Sequence, residues 1–512
     1  MLTVNFLKLR NFASKTPCLF YSTKTKRRNK EFPLITCKNS KLNLYLSDFK
    51  GGNQNEQDII LASKGWQHYK AKGDYFIIHQ TRDASDILKE AQDYSSLGLN
   101  EKLVKNLEEK HDITKATKLQ MDSIKEISHN SHVLLCAETG CGKTHAYLVP
   151  LIEKVLKLKQ KEQLQEDERR FNSPLVIILT PARELAEQIG KVASDLVEGL
   201  NINVKSVVGG STKSKILNPT FEDIDILVGS IGVLSKLTTT GVYRIDQVSS
   251  VVLDESDTLL DDSFNEKISY YLRKFPFHTT TQLILASATM PTSVENVFRS
   301  IIDTSTLKHV VGDDLHKILP YVTQEFHRMN KTGRPEKLLR IVKTEVEKKR
   351  PVIVFSNKTP TCDYISLFLN NNGINCVNVN GDMINKIREG RFDKFQNGEV
   401  NVLSTTDCLG RGINTIRAKH VINFDFPKYI ADYIHRCGRI GRLGGLNNNC
   451  IVTNFISSLA ELDLVRKIEL AARTNFELKN VDANIGKIIR ERIERDAQKY
   501  ENAYLKSLKA NG

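Results

Sequence analysis

The sequence predicts an α/β protein of two tandem domains, each a parallel sheet covered by helices on both faces. Three observations carry this expectation. At 512 residues the chain is too long for one ordinary core. The apolar runs HVLLCA, LVIILT, VKSVVG, DILVGS, VSSVVLDE and QLILASAT are short, rich in β-branched residues and separated by amphipathic stretches. Such runs read as strands buried on both faces, which requires parallel pairing with helical crossovers. The plan then repeats as PVIVFSN, INCVNVNG, VNVLSTTD, HVINFDF and CIVTNFI. The first domain is placed at residues 93–318 and the second at 330–475, joined near LHKILPYVTQEF, with a cleft between them.

The opening residues 1–30 are expected to be a mitochondrial transit peptide. They hold eight Lys and Arg before the first acid, Glu31, and place Leu2, Phe6, Leu9 and Ala13 at helical spacing without the continuous apolar run of a secretory signal. The other reading is a basic tail that touches RNA. Removing those eight charges from the net +14 leaves +6, so charge alone argues weakly for a nucleic-acid partner. No stretch reaches the roughly 18 apolar residues of a membrane span, so membrane insertion is not expected. The nine cysteines form no CxxC pair and read as free thiols.

Residues 31–92 are an N-terminal extension centred on KGWQHYKAKGDYFIIH, where Lys64, Lys70 and Lys72 alternate with Trp66, Tyr69 and Tyr75. Packing onto the first domain with solvated lysines is the expectation, and binding of a single strand by stacking is the alternative. Residues 476–512 read as a charged, solvated helical tail.

The chemistry starts at Ala137-Glu138-Thr139-Gly140-Cys141-Gly142-Lys143-Thr144, between a strand and a helix. Glycines let the backbone wrap phosphates, and the helix N-terminus presents unpaired N–H groups to them. Lys143 is expected to reach the β- and γ-phosphates of ATP, and the Thr144 hydroxyl to ligate Mg²⁺. At the end of an apolar strand stands Asp254, placed to hold Mg²⁺ through water. Its neighbour Glu255 is placed to orient and deprotonate the attacking water.

Asp254-Glu255-Ser256-Asp257 resembles the DEAD box with serine in place of alanine. Pro181-Ala182-Arg183-Glu184-Leu185-Ala186, Gly209-Gly210 and Ser287-Ala288-Thr289 resemble the PTRELA, GG and SAT motifs in order. His435-Arg436-Cys437-Gly438-Arg439-Ile440-Gly441-Arg442 resembles HRxGRxGR, and Thr406-Asp407 with Arg411-Gly412-Ile413-Asn414 resembles TDxxxRGxD. Over residues 94–475 the chain is thus similar to the DEAD-box RNA helicases of superfamily 2. The resemblance implies two RecA-like domains that close over ATP and a single RNA strand.

It further implies that Ser287 and Thr289 link hydrolysis to closure, and that His435 bridges to the acidic motif. Arg439 and Arg442 become fingers on the γ-phosphate. RNA contacts fall to Pro181, Arg183, Glu184, Gly210, Ser230, Gly232, Phe355, Arg388 and Thr406. Gly412 and Asn414 fall beside the ribose. Several positions depart from the family. The adenine motif reads Ile113-Thr114-Lys115-Ala116-Thr117-Lys118-Leu119-Gln120, so Gln120 is kept and Ile113 replaces an aromatic. Asn414 replaces the ribose acid, and Ser230-Ile231-Gly232-Val233 lacks the arginine of TPGR. Weaker adenosine binding is expected.

The segments DESDTLLDDSF, LPYVTQEF and DFPKYIADYIHRCGRIGR resemble the animal mitochondrial branch of the family, associated with large mitoribosomal subunit assembly. That implies large-subunit ribosomal RNA and mitoribosome assembly factors as partners, a monomer, and the mitochondrial matrix, with the nucleus as a second compartment. The rival readings are an ATP-binding RNA clamp or scaffold with little turnover, and a DNA helicase.

Overall fold

The computed structural model describes residues 33–44, 59–82, 90–165, 171–209, 212–260, 262–290, 298–407, 415, 417–441, 449–478 and 481. The segment read as a transit peptide and the tail beyond residue 481 lie outside them. Among the described residues no helix is long and apolar enough to cross a membrane.

The chain begins with strands β1 (Ile35–Cys37) and β2 (Tyr75–Ile78), antiparallel to each other. A two-stranded ribbon of β3 (Gln92–Asp93) and β4 (Lys115–Ala116) follows. The first domain then supplies β5 (Val133–Cys136), β6 (Val176–Thr180), β7 (Val204–Val207), β8 (Ile226–Ser230), β9 (Ser250–Leu253), β10 (Gln282–Ser287) and β11 (Lys308–Val311). They form one parallel sheet in the order β11-β5-β10-β9-β6-β8-β7. Every residue of β5, β6, β9 and β10 is buried, as a sheet covered on both faces demands.

The second domain holds β12 (Val322–Arg328), β13 (Val352–Phe355), β14 (Cys376–Val379), β15 (Val402–Thr405), β16 (His420–Asn423) and β17 (Cys450–Ile456). The sheet order is β1-β2-β12-β17-β16-β13-β15-β14, parallel from β12 onward. β12 begins inside the segment read from sequence as the joint between domains and runs two residues past it.

The extension belongs to the second domain's sheet, not to the first domain as expected. β2 runs antiparallel along β12, with Phe76 opposite Phe326 and Ile78 opposite Gln324. Its alternating burial sends Phe76 and Ile78 inward, where Phe76 stacks on Phe326 at 4.5 Å between ring centroids and Trp66 lies 5.5 Å from Phe76. Trp66, 1% exposed, is therefore a core residue rather than a stacking platform for RNA. A second clamp is Glu469, fully buried on the helix Leu462–Thr474. It accepts from the Ala62 and Ser63 amides at 2.7 and 2.9 Å and pairs with Arg473 at 2.8 Å. A buried carboxylate with that many partners stabilises the junction, while removing it would strand the Arg473 charge. The lysines are solvated as expected: Lys64, Lys70 and Lys72 are all exposed.

With the extension in the second sheet, the passage at 312–321 returns the chain from the first domain to the sheet that the extension has already joined. The end of the extension meets that passage: the amides of Thr81 and Arg82 donate to Pro320 O, and Arg82 pairs with Asp314 at 3.3 Å.

Candidate active site at the domain cleft

The functional side chains gather at the carboxyl ends of both parallel sheets, where open α/β sheets bind ligands. After β5 the chain turns through Gly140 and Gly142, both at φ +88°, a conformation that favours glycine, and enters the helix Lys143–Gln165. Lys143 Nζ donates to the Ala137 and Glu138 carbonyls at 2.7 and 2.8 Å, which lays the ammonium across the loop's mouth. Cys141, on the loop, is buried, and burial pushes its thiol up to about 12, so it stays an unreactive thiol.

Asp254 follows β9 and is held by two donors, Tyr147 Oη at 2.9 Å and the Glu255 amide at 2.8 Å. Burial pushes its carboxyl up, and these bonds together with Lys143 pull it back. Burial raises the Tyr147 phenol far above its ordinary value, and the nearby Thr144 side chain tempers that rise. Tyr147 was not foreseen, although it stands four residues after Lys143 on the same helix face. Glu255 adopts φ +50° at the strand-to-helix turn, and its buried Oε2 has no hydrogen-bond partner among the described residues. Burial pushes Glu255 up, while the charges of His435 and Arg439 from the other domain draw it down.

The SAT residues meet the acidic motif through Asp257. Its Oδ2 accepts from the Thr289 amide at 3.1 Å and Thr289 Oγ1 at 2.9 Å, and His435 Nε2 approaches within 3.6 Å across the cleft. Burial alone would raise Asp257, but His435, Thr289 and Lys143 outweigh it and hold the carboxyl well below the usual range. Ser287 Oγ donates to Thr289 O at 2.5 Å and closes the loop on itself. Asp257 carries this junction, yet sequence reasoning assigned it no role; its place in DESD was the available signal.

Arg439 is 2% exposed, donates to His435 O at 3.0 Å and feels the Glu255 charge. Arg436 is fully buried and serves differently. It pairs with Asp407, bonds Asn357, Asn423 and the Asp425 carbonyl, and covers the Phe355 ring at 5.2 Å. Phe355, expected to touch RNA, is 0% exposed beneath that guanidinium. Its contribution is packing that seats Arg436, not strand contact. Thr406 stands beside Asp407 at the end of β15.

The remaining expected RNA residues divide into two groups. Ser230 and Gly232 open the helix Ile231–Thr239 at the end of β8, and a Cβ at Gly232 would meet nothing within 4 Å. That helix N-terminus can receive a phosphate. Pro181 sits at the turn before the helix Arg183–Leu196. Arg183 and Glu184, on that helix, are matched across the cleft: Arg183 pairs with Glu389 at 3.1 Å, and Arg388 with Glu184. Gly210, Gly412, Asn414 and Arg442 lie outside the described residues.

At the expected adenine end, Gln120 is 3% exposed and its amide already has partners. Its Oε1 accepts from the Thr117 amide at 2.9 Å in a capping box, and Nε2 donates to Gly142 O at 3.4 Å. Each end of the amide retains capacity for one further bond. Ile113 packs against the first domain's core.

The DEAD/DEAH box helicase family matches residues 117–297, and the family described as Helicase conserved C-terminal domain matches 333–444. The chain is 32% identical over 448 residues to a mouse (Mus musculus) protein named "Probable ATP-dependent RNA helicase DDX28", covering 83% of this chain and 82% of that one. The human protein of the same name is 31% identical over 447 residues, with the same two shares. Among solved structures, S. cerevisiae Dbp5 bound to RNA and ADP BeF3 superposes with a TM-score of 0.62 at 23% identity, over 79% of this chain and 99% of that one. Mss116p bound to ssRNA and AMP-PNP gives 0.64 at 21% identity, over 76% and 79%.

Proposed function

This chain belongs to the DEAD-box ATP-dependent RNA helicases, and on that premise we propose how its residues divide the work and which RNA it serves. ATP lies on the 137–144 loop, with Lys143 and the helix N-terminus taking its phosphates. Thr144 and Asp254 offer the hard oxygen donors that Mg²⁺ prefers, and Tyr147 Oη holds the Asp254 carboxylate in place. The ion would neutralise charge on the phosphates. Glu255 orients the attacking water and accepts its proton; its unpartnered buried oxygen and raised affinity for a proton suit that role. Arg439, with Arg442, stabilises the charge that spreads over the transferred phosphoryl group, an effect of roughly 10³–10⁵ in rate in related NTPases.

The observation that carries this reading is the chain Thr289–Asp257–His435, which crosses the cleft between the two sheets. It makes hydrolysis depend on closure, and closure around RNA bends one strand and releases its partner. The substrate we propose is mitochondrial large-subunit ribosomal RNA, with assembly factors as partners, reached through a presequence in residues 1–30. The acid-free, basic start of the chain supports the compartment. ATP hydrolysis with and without RNA, beside Lys143→Ala and Glu255→Gln, tests the chemistry; turnover that ignores RNA would reject the coupling. A fusion of residues 1–40 to a fluorescent protein tests import, and RNA crosslinked in cells tests the substrate.

A further inference from the structure

The loop after β10 presents two consecutive backbone amides that do not enter the sheet, and each is taken by a side chain. The Thr289 amide goes to Asp257, which faces His435 of the second domain. The Met290 amide goes to His316 Nε2 at 2.9 Å. His316 belongs to neither sheet; it sits in the 312–321 crossing. Because a backbone amide can only donate, Nε2 must hold a lone pair, so the imidazole is neutral with its proton on Nδ1. Burial favours that form by lowering the affinity of His316 for a second proton.

The position of His316 is set from both domains. Its backbone takes φ +60°, the left-handed region that among residues with a side chain is entered mainly by asparagine, aspartate and histidine. Its carbonyl accepts from the Leu478 amide at 2.8 Å, just beyond the helix Leu462–Thr474 of the second domain. The crossing is pinned to the first domain by the Gly312 amide on Cys136 O at 2.8 Å and by Tyr321 Oη on Glu138 at 3.4 Å. A local backbone conformation that costs free energy persists only where the surroundings hold it, and here they hold a ring against the SAT loop.

We infer that His316 is a positioning residue of the ATPase cycle: it fixes the SAT loop from the interdomain crossing, as Asp257 fixes it from the acidic motif. The second domain therefore reaches this loop by two routes, through His435 and Asp257, and through Leu478 and His316. The inference rests on the reading of Ser287 and Thr289 as the loop that couples hydrolysis to closure.

The test compares full-length wild type, His316→Ala, His316→Gln and Thr289→Ala in steady-state ATP hydrolysis with saturating RNA, beside thermal melts. Glutamine places an acceptor oxygen where Nε2 lies. His316→Ala is expected to lose about tenfold in RNA-stimulated kcat, the order of one hydrogen bond, with the KM for ATP within about twofold. His316→Gln is expected to recover most of it. Wild-type kcat in His316→Ala, with Thr289→Ala impaired, overturns the inference alone. Equal slowing of both His316 variants with equally lowered melting also overturns it, since a fold effect then suffices. If Thr289→Ala keeps full RNA stimulation, the coupling role of the loop is wrong and the inference falls with it.

Discussion

Gly438 isolates the requirement for closure in a single methyl group. It ends the helix Ile430–Cys437 at φ −70°, ψ 4°, a conformation alanine adopts freely, so Gly438→Ala should leave the second domain folded. The obstacle lies across the cleft. A Cβ at Gly438 would stand 1.3 Å from Thr139 Oγ1 and 2.4 Å from Thr139 Cβ. Rotating the threonine hydroxyl away does not help, because its Cβ is still too close. The two backbones must separate by more than about 1 Å to restore ordinary contact, and Arg439, the next residue, moves with Gly438. The His435–Asp257 approach, 3.6 Å as it stands, opens by a similar amount. An arginine finger contributes roughly 10³–10⁵ in rate, so partial withdrawal should cost RNA-stimulated kcat at least about 10²-fold. Affinity for a fluorescent ATP analogue, which rests mainly on the 137–144 loop, should change by less than about threefold by the same reasoning. Fluorescence titration and steady-state hydrolysis on one preparation measure both. A Gly438→Ala protein with near wild-type turnover and an unchanged melting curve would refute this account of closure.

Other outcomes follow from the same geometry. Trp66→Ala should destabilise the second domain by about 3–5 kcal/mol, because it empties a core shared by the extension and β12; urea unfolding reads this, and a change below about 1 kcal/mol would mean the extension is dispensable. Glu389→Ala breaks the cross-cleft pair of Arg183, partly exposed and worth up to about 1 kcal/mol, and leaves Glu187 on the same helix at 3.1 Å as an acidic partner; RNA affinity should tighten by up to about fivefold at low salt, and anisotropy that shows no tightening would remove Glu389 as a competitor of RNA for that guanidinium. His145 is pushed down to about 4, first by burial and then by the charge of neighbouring His111, itself beside Asp195. A lowered histidine favours the neutral folded form, so its stability contribution is full above the unfolded value of about 6.5 and is lost as pH falls towards 4. Stability should drop by about 2 kcal/mol between pH 7 and pH 5, and His145→Leu should flatten that slope in denaturant midpoints measured at the two pH values.

Much of the site was legible in the sequence because its determinants are local. A glycine loop, a lysine and a helix start within eight residues define a phosphate cradle wherever they fold. Apolar runs bounded by helical stretches define parallel strands without knowledge of their order. Asp254, Glu255, Ser287 and Thr289 stand at or within two residues of a strand's carboxyl end, so the rule that ligands bind at the carboxyl ends of parallel sheets places them together.

Other features depend on partners far away along the chain, which periodicity cannot rank. KGWQHYKAKGDYFIIH shows a basic and aromatic pattern, yet its aromatics could serve RNA or a core equally well. Only the pairing of β2 with β12, some 250 residues later, decided that Trp66 and Phe76 face inward and that the extension completes the second domain. Phe355 looked like an RNA contact until Arg436, from a helix about 80 residues on, was found covering its ring. Arg183 and Arg388, expected RNA contacts, each pair with a carboxylate on the opposite domain. The sequence by itself determined the chemical groups, the strands that carry them and the family. The tertiary structure decided which charges are matched, which aromatics are core and how the two walls meet, because burial and ion pairing are properties of the neighbours a residue acquires in space.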